Sequence, residues 1–225
     1  MAETYWGESA KEGLAFFGKM SACISHDIKN YLAIINEKAG LVGDLLFVAE
    51  QGRPLDTEKV KKLVQDISQQ IKRADHVVRS LNRLAHSVDK SRCVVDLNET
   101  VGLIVSISQR LAASKGVRLE MRLPTSAVQV ESNPFSLMYI LFLYLDKAMS
   151  APNDGQVKVI LKDMGDEGQV TISGSFEALV HSSEAVPAPI PGLQEKLGVT
   201  VKLEGNFGEA VIRVPKAFKL KDIQS

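Results

Sequence analysis

Neither sign of charge is in excess in this sequence of 225 residues. Lys plus Arg and Asp plus Glu number 27 each, so the formal net charge is zero. A nucleic-acid-binding domain carries a basic surplus, so that class is not expected. Cysteine is nearly absent: Cys23 and Cys93 form neither a disulfide framework nor a metal-ligand spacing. Long hydrophobic runs are absent too. The longest, Leu137 to Leu145, is closed by Asp146 and Lys147, well short of the roughly 20 residues that span a bilayer. The opening MAETYWGESA lacks the basic-then-apolar pattern of a secretory signal. These absences lead us to expect a reduced, cytoplasmic protein with no membrane segment. What is present is an ordinary globular mixture, 45% hydrophobic and 24% charged, which is enough to bury a core.

Proline is missing from Glu12 to Glu50, and that stretch reads as one helix. Phe17, Met20, Ile24, Ile28, Tyr31 and Ile35 form its apolar stripe. Gln51-Gly52-Arg53-Pro54 then breaks the chain. A second helix is expected from Asp56, whose side chain suits an N-cap. It carries a heptad pattern. Val60, Ile67, Ala74, Leu81 and Val88 share one position, and Leu63, Val77 and Leu84 fill much of another, with Ile71 alongside. Helices this long with a short connection give an antiparallel hairpin. A single hairpin cannot bury both seams, whereas two can pair as a four-helix bundle, so a homodimer is expected.

The texture changes after about Ser91. Asn98 to Lys115 reads as a helix stopped by Gly116. Val117 to Leu123 alternates as a strand up to Pro124, and Val128 to Val130 is a short extended piece. Pro134 opens a buried helix to about Ser150, followed by a turn at Pro152 to Gly155. Residues 156–162 and 169–173 read as a hairpin. Residues 181–192 read as a proline-bearing loop, followed by a short helix at Leu193–Leu197 and a closing hairpin, Val199–Glu204 with Glu209–Val214. The expected fold class is a long antiparallel helical hairpin, residues 1–92, followed by an α+β sandwich of helices on one mostly antiparallel sheet, residues 93–225.

The chemistry is concentrated in Ser25-His26-Asp27-Ile28-Lys29-Asn30. With Ile24 at zero and about 100° per residue, His26 falls near about 200° and Asn30 near about 240°, away from the apolar stripe. Lys19, Ala22, Ala33 and Glu37 lie on the same side, with Cys23 at its margin. Small neighbours let another protein approach closely. A neutral imidazole is available near pH 7 and can attack phosphorus through one nitrogen while the other keeps its proton. Asp27 can hold that tautomer, Lys29 can balance phosphate charge, and the Asn30 amide can orient a phosphoryl oxygen or a water. A lone exposed histidine on a helix is more often only a solvated residue. His76, His86 and His181 share no ligand spacing with each other or with a cysteine, so no metal site is expected.

This run resembles the phosphoacceptor box of two-component sensor histidine kinases: histidine, acid, apolar residue, base, asparagine. The hairpin around it looks like that family's dimerisation and phosphotransfer domain. Val95-Asp96-Leu97-Asn98-Glu99 is similar to the segment that opens the family's catalytic domain. Lys115-Gly116-Val117-Arg118-Leu119 and Asn133-Pro134-Phe135-Ser136-Leu137 look like its next landmarks, and the strands from Gly198 to Pro215 like its closing ones. The departures lie in the nucleotide boxes. The asparagine box N-x-x-x-N-A matches Leu143 to Ala148, where Leu143 and Lys147 replace both asparagines, and Asp146 is offset by one residue. The box D-x-G-x-G matches Thr171 to Ser175, with no aspartate and one glycine of two. No glycine-rich lid is found in 176–192.

The resemblance therefore implies a degenerate kinase core that keeps its histidine and has lost its ATP site. Histidine phosphotransferases built on such a fold pass a phosphoryl group between receiver-domain aspartates. The expected sites are His26, Asp27, Lys29 and Asn30 for transfer, with Lys19, Ala22, Cys23, Ala33 and Glu37 for docking. The expected partners are a second copy, a response-regulator receiver domain that brings the magnesium, and an upstream hybrid kinase. No cofactor is expected on the chain itself. The alternatives are a receiver-binding dimeric adaptor and a phospho-receiver phosphatase in which Asn30 orients water.

Overall fold

The computed structural model describes residues 2–150, 154–174, 176, 189–204 and 208–217, with the side chains of 2–10 and 189–191 not described. By contacts the chain forms two compact units: Lys19–Arg83, and Met1–Gly18 together with Leu84–Ser225.

Helix α1 spans Ala2–Glu50. It starts well before the expected Glu12, because nothing in 2–11 breaks a helix. Its end is a glycine cap: Gly52, at φ +86°, donates to Ala49 O at 3.0 Å and Arg53 N to Val48 O at 3.4 Å. These paired bonds satisfy carbonyls the helix end leaves open. Helix α2 spans Thr57–His86, and Asp56 caps it as expected by accepting from Lys59 N at 2.9 Å. In the Lys19–Arg83 unit Met20, Ile24 and Leu63 are buried, and so is Gln70, which holds a heptad position among apolar ones. The heptad pattern outlasts the α-helix. Ser87 Oγ donates to Leu84 O at 2.6 Å, the chain tightens into a 3₁₀ turn over Ser87–Asp89, and Val88 is left exposed.

The second unit is built on β1 (Cys93–Asp96), α3 (Leu97–Ser114), β2 (Arg118–Arg122), β3 (Gln129–Ser132), α4 (Pro134–Ser150), β4 (Gln156–Asp163), β5 (Glu167–Ser173), α5 (Pro189–Leu197), β6 (Thr200–Glu204) and β7 (Glu209–Pro215). The main sheet has five strands in the order β2-β4-β5-β7-β6. It is antiparallel except for β2 and β4, which run parallel with Leu119 opposite Val157. The 93–96 segment was not legible as a strand: β1 pairs antiparallel with β3 in a separate two-stranded sheet, Val95 opposite Val130. Val157, Val159, Leu161, Val170, Ile172, Ile212 and Val214 are buried along the sheet, and Leu137, Ile140, Leu141 and Leu145 of α4 are buried with them. Alternation by twos along strands aims one face of a sheet inward.

Helix α5 begins four residues before the short helix read at Leu193. Most of the expected loop at 181–192, and with it His181, lies outside the described residues, as does Ser175. The turn before β4 is described from Asp154, and Asp154 and Gly155 both take positive φ, 53° and 69°. The N-terminal piece of α1 belongs to this second unit. Phe16, buried, sits with its ring centroid 5.5 Å from Phe135, 5.3 Å from Tyr139 and 5.1 Å from Phe142. Tyr139 Oη donates to Glu12 Oε2 at 3.2 Å, and burial raises the phenol's pKa above its ordinary value. The sequence pattern had placed Phe17 on the apolar stripe; the structure buries Phe16 and leaves Phe17 half-buried.

Candidate functional site around His26

Within the Lys19–Arg83 unit the phosphoacceptor-like residues lie on uninterrupted α-helix, so their relative directions follow from helical geometry. His26, Lys29 and Asn30 are exposed and Asp27 is half-buried. The imidazole is 47% exposed, open enough to meet another molecule. Lys19, Ala22, Ala33 and Glu37 are exposed with it. Cys23 is not: it is buried at 9% exposure. Its position, between the stripe and the exposed face, turns it inward, so it does not share the surface expected to dock a partner.

The ring is held differently from expectation. Asn30 Nδ2 lies 3.1 Å from His26 Nδ1, one helical turn along. Asp27 Oδ1 lies 4.0 Å from the same nitrogen, within ion-pair range but beyond a hydrogen bond. Adjacent helical residues diverge by about 100°, while residues four apart stack on one face. The acid therefore supplies a field beside the ring, and the amide makes the directional bond.

The second unit shows what the family-like landmarks do. Asp96 caps α3, its Oδ1 accepting from Asn98 N at 2.8 Å and Glu99 N at 3.3 Å. Leu97 is fully buried. Asn98 Nδ2 donates to Pro124 O at 2.9 Å and Ser126 O at 3.2 Å, and its Oδ1 accepts from Val128 N at 3.2 Å. Asn133 Oδ1 accepts from Ser136 N at 2.8 Å at the start of α4, and its Nδ2 donates to Lys90 O and Ser91 O. Gly116 takes φ +70° to turn the chain from α3 into β2. Each of these residues satisfies backbone groups or fills core.

The positions that the resemblance matches to ligand boxes have these surroundings. Leu143 is half-buried and Lys147 exposed, and neither offers the hard oxygen that magnesium requires. The Asp146 carboxylate is engaged by Lys115, with Nζ to Oδ1 at 2.8 Å, and Lys115 also donates to Ser150 Oγ at 2.9 Å. Gly174 has a packing reason: a Cβ there would come within 2.7 Å of Ala148 Cβ and 2.9 Å of its Cα. Tyr144 is buried with its ring centroid 6.5 Å from Phe176. It accepts from Gln194 Nε2 at 3.4 Å, and burial pushes the phenol up to about 12.

Among the described residues, no helix is long and apolar enough to cross a membrane, and no group of three or more His, Cys, Asp or Glu side chains is placed to hold a metal ion.

No protein-family model matches the chain, and no curated protein matches it. Solved structures are similar to it. They include histidine kinase ThkA in complex with the response regulator protein TrrA, at 16% identity and TM-score 0.48 over 96% of this chain and 68% of that one. The Acinetobacter baumannii histidine kinase AdeS is similar at 12% identity and TM-score 0.45, over 80% of this chain and 95% of that one. The catalytic domain of ThkA is similar at 13% identity and TM-score 0.47, over 56% of this chain and 97% of that domain.

Proposed function

We propose that this chain is a histidine phosphotransferase of a two-component phosphorelay, carrying a phosphoryl group on His26 without using ATP. The observation that carries the reading is the pairing of an exposed His26, held at Nδ1 by Asn30, with a second unit whose surviving family-like residues are structural and whose nucleotide ligands are replaced. The transfer chemistry needs little else from this chain. A docked receiver domain supplies the phosphoaspartate and its magnesium. The lone pair of one imidazole nitrogen forms the N–P bond as the acyl-phosphate O–P bond breaks, and the electron pair leaves with the aspartate carboxylate. Lys29, exposed three residues further along the helix, offsets phosphate charge, and catalysis is chiefly positioning.

Two copies form the bundle in this reading. The hairpin leaves Val64, Ile71 and Val78, a second heptad stripe, 49%, 53% and 40% exposed. The receiver meets the exposed face of Lys19, Ala22, Ala33 and Glu37, where the two alanines keep the surface low. The engagement of the Asn30 amide with the ring favours transfer over the phosphatase alternative, which needs that amide turned to a water.

The test is to mix the full chain with radiolabelled phospho-receiver. The expected result is acid-labile label on the wild-type chain, none on His26→Ala, and no label and no melting-temperature shift with magnesium-ATP alone, since a ligand of the folded state would raise apparent stability. Label that persists in His26→Ala, or label that comes from ATP, would overturn the proposal.

A further inference from the structure

We infer that Gln70 selects the partner of the helical hairpin: its buried amide weakens the seam within one copy and restricts the apolar stripe beside it to a second copy in one register. The inference deepens the two-copy reading of the bundle and rests on it. Three observations carry it. Leu63, Gln70, Val77 and Leu84 share one heptad position of α2, and Gln70 is buried there to 9% exposure, as Leu63 and Leu84 are buried. The Gln70 Oε1 is buried and accepts no hydrogen bond, whereas the hydroxyl of Ser80, also buried on α2, donates to His76 O at 3.0 Å. One position on from Gln70, Ile71 stands 53% exposed at the middle of the stripe that Val64 and Val78 continue.

A carbonyl buried without a donor costs stability, and a leucine in the same place carries no such cost. Folding of one copy alone therefore favours leucine at 70, as at 63 and 84. An amide becomes compatible with the seam when a matching polar group is brought to its level, and a second copy brings one. In a two-copy bundle with its two-fold axis along the helices, each residue recurs in the partner at the same height. The two Gln70 amides then share one level, and each has both a donor and an acceptor end, so each supplies what the other lacks. Ala74 lies one turn on and about 40° round towards the Ile71 side. It is smaller than Val60, Ile67 and Leu81, which share its heptad position, and it leaves room for the second amide. A slip of one heptad sets each amide against Leu63 or Val77 of the other copy, and a foreign apolar helix offers it no polar group. A single polar residue in an apolar seam fixes register and partner in this way, at a cost in stability.

The test mixes the full wild-type chain with full-length Gln70→Leu carrying a mass tag. The two are unfolded together in urea and refolded, and native mass spectrometry reads the proportions of like and mixed pairs. Mixed pairs should fall about fivefold or more below the statistical proportion, because each holds one amide without a polar partner. Gln69→Leu, a change at the exposed neighbour, should mix statistically with the wild type. Gln70→Leu by itself should melt at a higher temperature than the wild type by circular dichroism, since its seam holds no amide. Statistical mixing of Gln70→Leu with the wild type, or a lower melting temperature in Gln70→Leu, overturns the inference and leaves the two-copy bundle standing. A wild-type chain that sediments as one copy overturns the two-copy reading itself, and the inference with it.

Discussion

At the scale of single residues, chemistry and packing are sorted by what each side chain touches. His26 and Asn30 touch each other and solvent, whereas Asp96, Asn98 and Asn133 touch backbone groups that would otherwise be unpaired. Gly174 shows why a residue that resembles part of a nucleotide motif need not serve one. Its missing Cβ lets the end of β5 lie against Ala148 of α4, with less than 3 Å available to an added carbon. The obstacle is partly backbone, so it cannot swing aside. Gly174→Ala should therefore destabilise the fold by about 1–3 kcal/mol through overpacking. Chemical denaturation should show a lower midpoint with an unchanged slope, and an unchanged midpoint would remove this account of the glycine.

At the scale of elements, the helices were the most legible part of the sequence. Heptad spacing located α2, and Asp56 marked its start. The glycine-bearing break at 51–54 located the end of α1, and Gly116 the end of α3. The strands β4, β5, β6 and β7 were legible from alternation and turn residues. The β1–β3 pair was not, because four-residue strands carry too little alternation, and their pairing joins segments over 30 residues apart. The Asp96 carboxylate does double duty at this junction, ending β1 and capping α3 through Asn98 N and Glu99 N. Asp96→Ala should cost about 1 kcal/mol, the ordinary value of an N-cap. Asp96→Asn, which keeps an accepting oxygen, should recover most of that midpoint loss in urea.

At the scale of the whole molecule, the unpaired stripe of Val64, Ile71 and Val78 sets the expected assembly. Apolar surface at heptad spacing on a long helix is stabilised when it is buried against another helix. Ile71→Glu should convert a two-copy assembly into a single chain by sedimentation, because a carboxylate in a helical seam is costly to desolvate. Far-ultraviolet circular dichroism should retain its helical signal at high concentration. A wild-type chain that sediments as one copy would instead count against the four-helix bundle.

Spacing along the chain was enough to give the kinds of element and the exposed direction of His26. These properties are carried by residues within a few positions of one another, and helical or strand periodicity converts such spacing directly into direction. Tertiary structure decided the rest. It took Phe16 rather than Phe17 into the ring cluster with Phe135, Tyr139 and Phe142, and it committed Asp146 to Lys115. It turned Cys23 inward. At the site itself, three-dimensional geometry placed Asn30 rather than Asp27 on Nδ1, because hydrogen bonding is decided by side-chain direction and distance, which adjacency along the chain does not supply.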